Sequence, residues 1–81
     1  MTQPLLTIGR HGGGADFEID DPQVSRLHCV IEVKTDAVFL RDLRSTNGTY
    51  LDEKRILSAC LEHKSEFRIG ASVLGVSIVP T

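Results

Sequence analysis

The sequence predicts an all-β fold of mostly antiparallel strands, a small sandwich or barrel, and three observations carry that prediction. Helical periodicity is weak throughout, whereas alternation of apolar and polar residues recurs in several short runs. Turn-forming clusters, His11-Gly12-Gly13-Gly14, Asp20-Asp21-Pro22, Thr35-Asp36 and Ser45–Gly48, punctuate the chain between those runs. Their spacing of about eight to twelve residues is that of short strands joined by tight connections.

Taken in chain order, Leu5–Gly9 and Phe17–Ile19 are short strand candidates. In Leu27–Val33, Leu27, Cys29, Ile31 and Val33 fall on one parity and His28, Glu32 and Lys34 on the other, with Val30 as the exception; this is a half-buried strand. In Val38–Leu43, Val38 and Leu40 share a face before Asp42 closes it. Thr49–Leu51 and Phe67–Ile69 are further short candidates, and Ile56–Lys64 reads as a helical turn or an irregular loop. A last strand runs Val73–Val79, with Leu74, Val76 and Ile78 on one side. There is no internal repeat, low-complexity tract or linker, so residues 1–81 are expected to form a single domain with a core from about 5 to 79.

A chain of 81 residues buries only ~60–65% of its unfolded surface, which leaves little room for a deep active-site cavity. With 41% hydrophobic and 25% charged residues, the composition is that of a folded globule. The net charge of −2 offers no global attraction to nucleic acid or to an anionic membrane, so any bound anion requires a local cluster of Arg or Lys. No apolar run approaches the ~18 residues of a membrane span. Cys29 and Cys60, without a signal-peptide pattern, favour reduced thiols and a cytoplasmic location.

Polar chemistry gathers in three loop stretches: Gly9-Arg10, Ser25-Arg26-Leu27-His28, and Arg44-Ser45-Thr46-Asn47-Gly48-Thr49-Tyr50-Leu51. Asn-Gly is a strong turn signal because both residues tolerate positive φ, but a bare turn has no need of the flanking hydroxyls. Loops of a sandwich cluster at its two ends, where such stretches can converge.

The ordered set Gly9-Arg10, Ser25-Arg26-Leu27-His28, Asp42–Thr49 and Arg68-Ile69-Gly70 resembles the forkhead-associated (FHA) family, over Leu5 to about Val79. The resemblance implies a β-sandwich with its binding loops at one end, and a phosphothreonine-containing protein or peptide, such as a Ser/Thr kinase substrate, as partner. It implies that Arg10, Ser25, Arg26 and Thr46 bind the phosphate, that Asn47 and Ser45 contact the peptide, and that Gly9, His28 and Gly48 are architectural. No cofactor, metal, nucleic acid or direct membrane contact is expected.

Physical chemistry supports that division. A phosphate monoester carries about −1.5 to −2 charge and three acceptor oxygens. A planar guanidinium meets two of them at once, and hydroxyls satisfy remaining lone pairs without adding charge.

The chain departs from the family at remote turns. Asp52-Glu53 stands where Asn-Gly is frequent, and Lys64-Ser65 where Gly-Asp is frequent. Gly12-Gly13-Gly14, beside Arg10, predicts a loose loop with an ordering cost on binding. Arg41, Arg44, Arg55 and Arg68 read as solvated strand edges, some able to favour acidic residues around a phosphothreonine. The alternative function is a phosphate-independent scaffold of the FHA-like type found in bacterial secretion apparatus, which need not retain Arg10, Ser25, Thr46 and Asn47 together. An enzyme is disfavoured. Ser25 and His28 stand at opposite parities of a strand, the glycine run lacks the Gly-Lys-Ser/Thr ending of a P-loop, and the Cys and His residues lack metal-ligand spacing. Asn47-Gly48-Thr49 fits a glycosylation sequon with nothing else to suggest secretion.

Overall fold

The computed structural model describes residues 4–78. Among them the chain forms β1 (Leu5–Arg10), β2 (Phe17–Ile19), β3 (Cys29–Val33), β4 (Val38–Asp42), β5 (Thr49–Leu51), β6 (Lys54–Ile56), β7 (Ser58–Leu61), β8 (Glu66–Ile69) and β9 (Ser72–Gly75). They build two sheets, β2-β1-β3-β4-β7 and β6-β5-β8-β9. All neighbours are antiparallel except β1 and β2, which pair in parallel. The all-β sandwich expectation therefore holds.

Alternation explains which residues meet between the sheets. Ile8 pairs with Cys29 across β1 and β3, Leu40 of β4 lies two residues from the partner of Cys29, and all three project to the same face. Facing them, Phe67 and Ile69 come from β8, and Leu61 closes the core from β7. Val24, in the loop before β3, also enters this cluster and is fully buried. Val30, the exception in the β3 pattern, is buried on the opposite face, opposite Thr7 and Arg41 in the ladders.

β1, β4 and β8 differ from expectation by one residue at an end, and three boundaries differ by more. Strand β3 begins at Cys29 because the preceding Leu27 sits in a bend and stays 47% exposed. Ile56–Lys64 is neither a helical turn nor an irregular loop: it contains the end of β6 and all of β7, whose Ser58–Leu61 pair with β4. Leu57 alone links them, carrying the chain from one sheet to the other, and its carbonyl accepts the Asp42 amide at 2.9 Å. The last strand ends at Gly75, and Val79 lies outside the described residues.

Candidate phosphate-binding rim

The three polar loop stretches converge at one end of the sandwich. Strand β1 delivers Gly9 and Arg10, and the Arg10 amide donates to the Ser25 carbonyl at 2.9 Å. A Cβ on Gly9 would stand 1.7 Å from the Arg26 carbonyl oxygen, so only glycine lets these two segments touch. From the third loop, the Thr46 amide donates to Ser25 Oγ at 3.0 Å. Ser25 is thus the common neighbour of Arg10 and Thr46. Its hydroxyl accepts one bond and keeps its own hydrogen for a second partner.

His28 secures this convergence from beneath. It is fully buried, and its Nδ1 accepts the Ser25 amide at 3.0 Å while Nε2 meets the Gly48 carbonyl at 2.8 Å. A backbone amide can only donate and a carbonyl can only accept, so the ring is neutral with its proton on Nε2. A ring so engaged has no nitrogen left for base catalysis.

The Ser45–Thr49 turn is organised by Asp42, which carried no role in the sequence reading. One oxygen accepts both the Ser45 and Thr49 hydroxyls, the other the Ser45 amide at 3.1 Å. Burial works against ionisation, but these hydrogen bonds outweigh it and hold the Asp42 carboxyl below the usual range. Burial, with the Asp42 charge beside it, pushes the Cys29 thiol up to about 12. Ser45 was expected at the peptide. Instead it is buried, with its hydroxyl spent between Asp42 and the Gly48 amide at 3.0 Å.

Asn47 and Thr46 are exposed at the tip of this turn. The Asn47 amide nitrogen donates to the Gln23 carbonyl at 2.8 Å, which fixes the side chain's direction, and its carbonyl oxygen has no partner among the described residues. Gly48 has φ +91°, the left-handed turn that Asn-Gly announces. Arg10 is half-buried, with Nη1 3.3 Å from the Val24 carbonyl. That long contact steers the guanidinium toward the Ser25 loop without consuming it. Arg26 contributes its backbone to the packing against Gly9 and leaves its side chain in solvent.

Two supports lay outside the sequence reading. Asp21 is buried and clasps the start of β9 to the loop before Ser25. Its Oδ1 accepts the Gln23 amide at 2.9 Å; Oδ2 accepts the Ala71 amide at 2.9 Å and the Ser72 hydroxyl at 2.8 Å. The Gln23 amide first, then the Ser72 hydroxyl, hold its carboxyl below the usual range against burial, with the Ala71 amide adding to them. Glu18 corrects the expectation of a loose glycine run. Its Oε2 accepts the Gly14 amide at 2.9 Å, while the Gly13 and His11 amides donate to Arg10 and Ile19. The signal for Asp42 was present, since an Asp three residues before a Ser has the spacing of a side-chain-closed turn. Asp21 depends on a contact 50 residues away and gave none.

What the arrangement offers is a set of donors on adjoining loops: a guanidinium, the Ser25 hydroxyl hydrogen and the exposed Thr46 hydroxyl. Among the described residues, no group of His, Cys, Asp and Glu could hold a metal ion, and no helix is long and apolar enough to cross a membrane.

The FHA domain family model matches residues 6–70. The glycogen accumulation regulator GarA of Mycolicibacterium smegmatis is 34% identical over 70 residues, covering 86% of this chain and 44% of that protein. The oxoglutarate dehydrogenase inhibitor of Corynebacterium efficiens is 34% identical over 86% of this chain and 49% of its own length. The chain thus spans less than half of each. A structure from an analysis of phosphothreonine-dependent FHA domain interactions superimposes with a TM-score of 0.89 at 31% identity, covering all of this chain and 83% of the other. Mycobacterium tuberculosis EmbR in complex with a low-affinity phosphopeptide gives 0.84 at 31% identity, over 91% of this chain and 20% of EmbR.

Proposed function

The chain belongs to the FHA family, and from that premise we propose that it is a phosphothreonine-dependent peptide-binding module in signalling. Arg10 grips the phosphate, Ser25 and Thr46 donate their hydroxyls to it, Arg26 adds positive charge beside it, and Asn47 holds the ligand's main chain. The module binds rather than catalyses, and it acts in the cytoplasm. It brings a protein phosphorylated on threonine, or a phosphorylated segment of its own parent protein, into proximity.

The observation that carries this reading is the bond from the Thr46 amide to Ser25 Oγ, beside the Arg10 amide's bond to the Ser25 carbonyl. These bonds hold the Arg10, Ser25 and Thr46 segments side by side before any ligand arrives, which supports the reading. Each hydrogen bond to a charged group contributes about 1.5–3 kcal/mol. Less the entropy of ordering a peptide, a few of them give affinity on the order of micromolar. That GarA is a regulator and the corynebacterial relative an enzyme inhibitor agrees with a binding role.

Titration of a phosphothreonine peptide library by fluorescence anisotropy tests the reading. Unphosphorylated and phosphoserine versions are expected to bind at least ~30-fold less well, about 2 kcal/mol. Equal binding of phosphorylated and plain peptides would overturn it.

A further inference from the structure

We propose that Arg55, on β6, reads a carboxylate side chain of the bound peptide near its phosphothreonine, so that the module selects phosphothreonine in an acidic setting. The proposal rests on the phosphothreonine reading and deepens it. Arg55 belongs to none of the motif stretches, yet its side chain lies across the turn that presents Thr46 and Asn47. A Cβ placed on Gly48 would stand 2.7 Å from Arg55 Nε and 3.1 Å from Cζ, so the guanidinium rests directly on that glycine. No carboxylate of the described residues stands within ion-pair distance of it, whereas Arg41 faces Glu32 at 3.8 Å. Asp21 and Asp42, which buttress the loops at this end of the sandwich, are committed to internal hydrogen bonds.

Positive charge gathers around the same end. Arg10 and Arg26 flank the Ser25 loop, Arg44 precedes the Ser45 turn, and Arg68 donates to the Gly70 carbonyl in the turn that Asp21 clasps. A planar guanidinium with unused donors, resting on Gly48 and without an internal acid, is matched by a carboxylate approaching in its plane. Gly48 follows Thr46 by two residues, a span of at most ~7 Å, so the carboxylate belongs roughly two to four residues from the phosphothreonine.

The test uses phosphothreonine peptides with alanine flanks, and the same peptides with one Asp moved through four positions on either side. Asp at one or more of these positions should tighten binding about fivefold, and the gain should shrink with added salt. Arg55→Gln should abolish that gain while leaving the all-alanine phosphopeptide within about twofold. Arg55→Lys should keep part of it, and Arg41→Gln all of it. The inference is overturned if Asp helps at no position, if the gain survives Arg55→Gln, or if that variant weakens every peptide equally. Failure of the unaltered protein to prefer phosphorylated peptides would sink the underlying reading instead, and this inference with it.

Discussion

Ser25 Oγ accepts the Thr46 amide at 3.0 Å, which ties together two residues 21 positions apart. The bond is made within the protein itself, so the proposed phosphate corner is set in advance rather than assembled around a ligand. Preorganisation of this kind lowers the entropic cost of binding and leaves affinity to the donors themselves.

Arg10→Ala is therefore expected to separate binding from folding. Its guanidinium makes one long internal contact, 3.3 Å to the Val24 carbonyl, so loss of the side chain should shift the melting temperature only slightly. Affinity for a phosphothreonine peptide should fall by about 2–5 kcal/mol. Calorimetric melting alongside anisotropy measures both, and collapse of the fold in this variant would make Arg10 structural.

His28→Ala should do the reverse, striking stability first. The Ser25 amide and the Gly48 carbonyl would each lose a buried partner. The cost is about 1–3 kcal/mol for each, with a cavity in addition. Urea unfolding should show a midpoint far below that of the unaltered protein, with peptide binding lost in proportion to the unfolded fraction.

Ser45→Ala distinguishes an architectural hydroxyl from a peptide contact. Since the hydroxyl bridges Asp42 and the Gly48 amide, stability should drop by about 1–3 kcal/mol. Affinity measured on the folded fraction should change less than about twofold. A large loss of affinity in a fully folded variant would return Ser45 to the ligand.

Besides Arg44 at φ 56°, two turns remote from the rim hold non-glycine residues in left-handed backbone: Asp52 and Glu53 at φ 51° and 66°, and Lys64 at φ 71°. The first pair closes the two-residue loop between Leu51 and Lys54, where positive φ at both positions defines a type I′ turn. Replacing Asp52-Glu53 by Asn-Gly should stabilise the protein by about 1 kcal/mol, or roughly 4–8 °C in melting temperature. Lys64→Gly should act in the same direction, and binding should be untouched by either change.

Acid should unfold the protein through Asp42 and Asp21. Both carboxyls are held below their usual value in the fold, so their contribution is present above the unfolded value of about 4 and is lost as pH falls through the lower folded value. Melting temperature should be level above about pH 5 and decline below about pH 4. Asp42→Asn should flatten part of that decline, and an unchanged acid limb in this variant would exclude Asp42.

Much of this architecture was legible from side-chain alternation. Leu40 with Val38, and Leu74 with Val76, lie on the faces their parity assigns. Strand β7 was not legible because the pattern there is interrupted: Leu57 is apolar yet 80% exposed, occupying the crossing between sheets. The rim motifs were recognised from their order, and the structure brings Arg10, Ser25 and Thr46 together. The carboxylates beneath them were missed because a buried Asp and a turn Asp look alike in sequence. Arg55 could not be placed beside Gly48 without the β5–β6 pairing that sets it there.

The clasp made by Asp21 has a temporal consequence. Asp21, in the loop before Ser25, is anchored to Ala71 and Ser72, 50 and 51 residues downstream of it, so the loops of the proposed site depend on a strand that is synthesised well after them. A nascent chain that had emerged as far as Gly70 would carry every residue of the proposed site and still lack the Ala71 and Ser72 partners of Asp21. The proposed capture of a phosphorylated partner in that sense waits on long-range contacts, which are costly in loop-closure entropy.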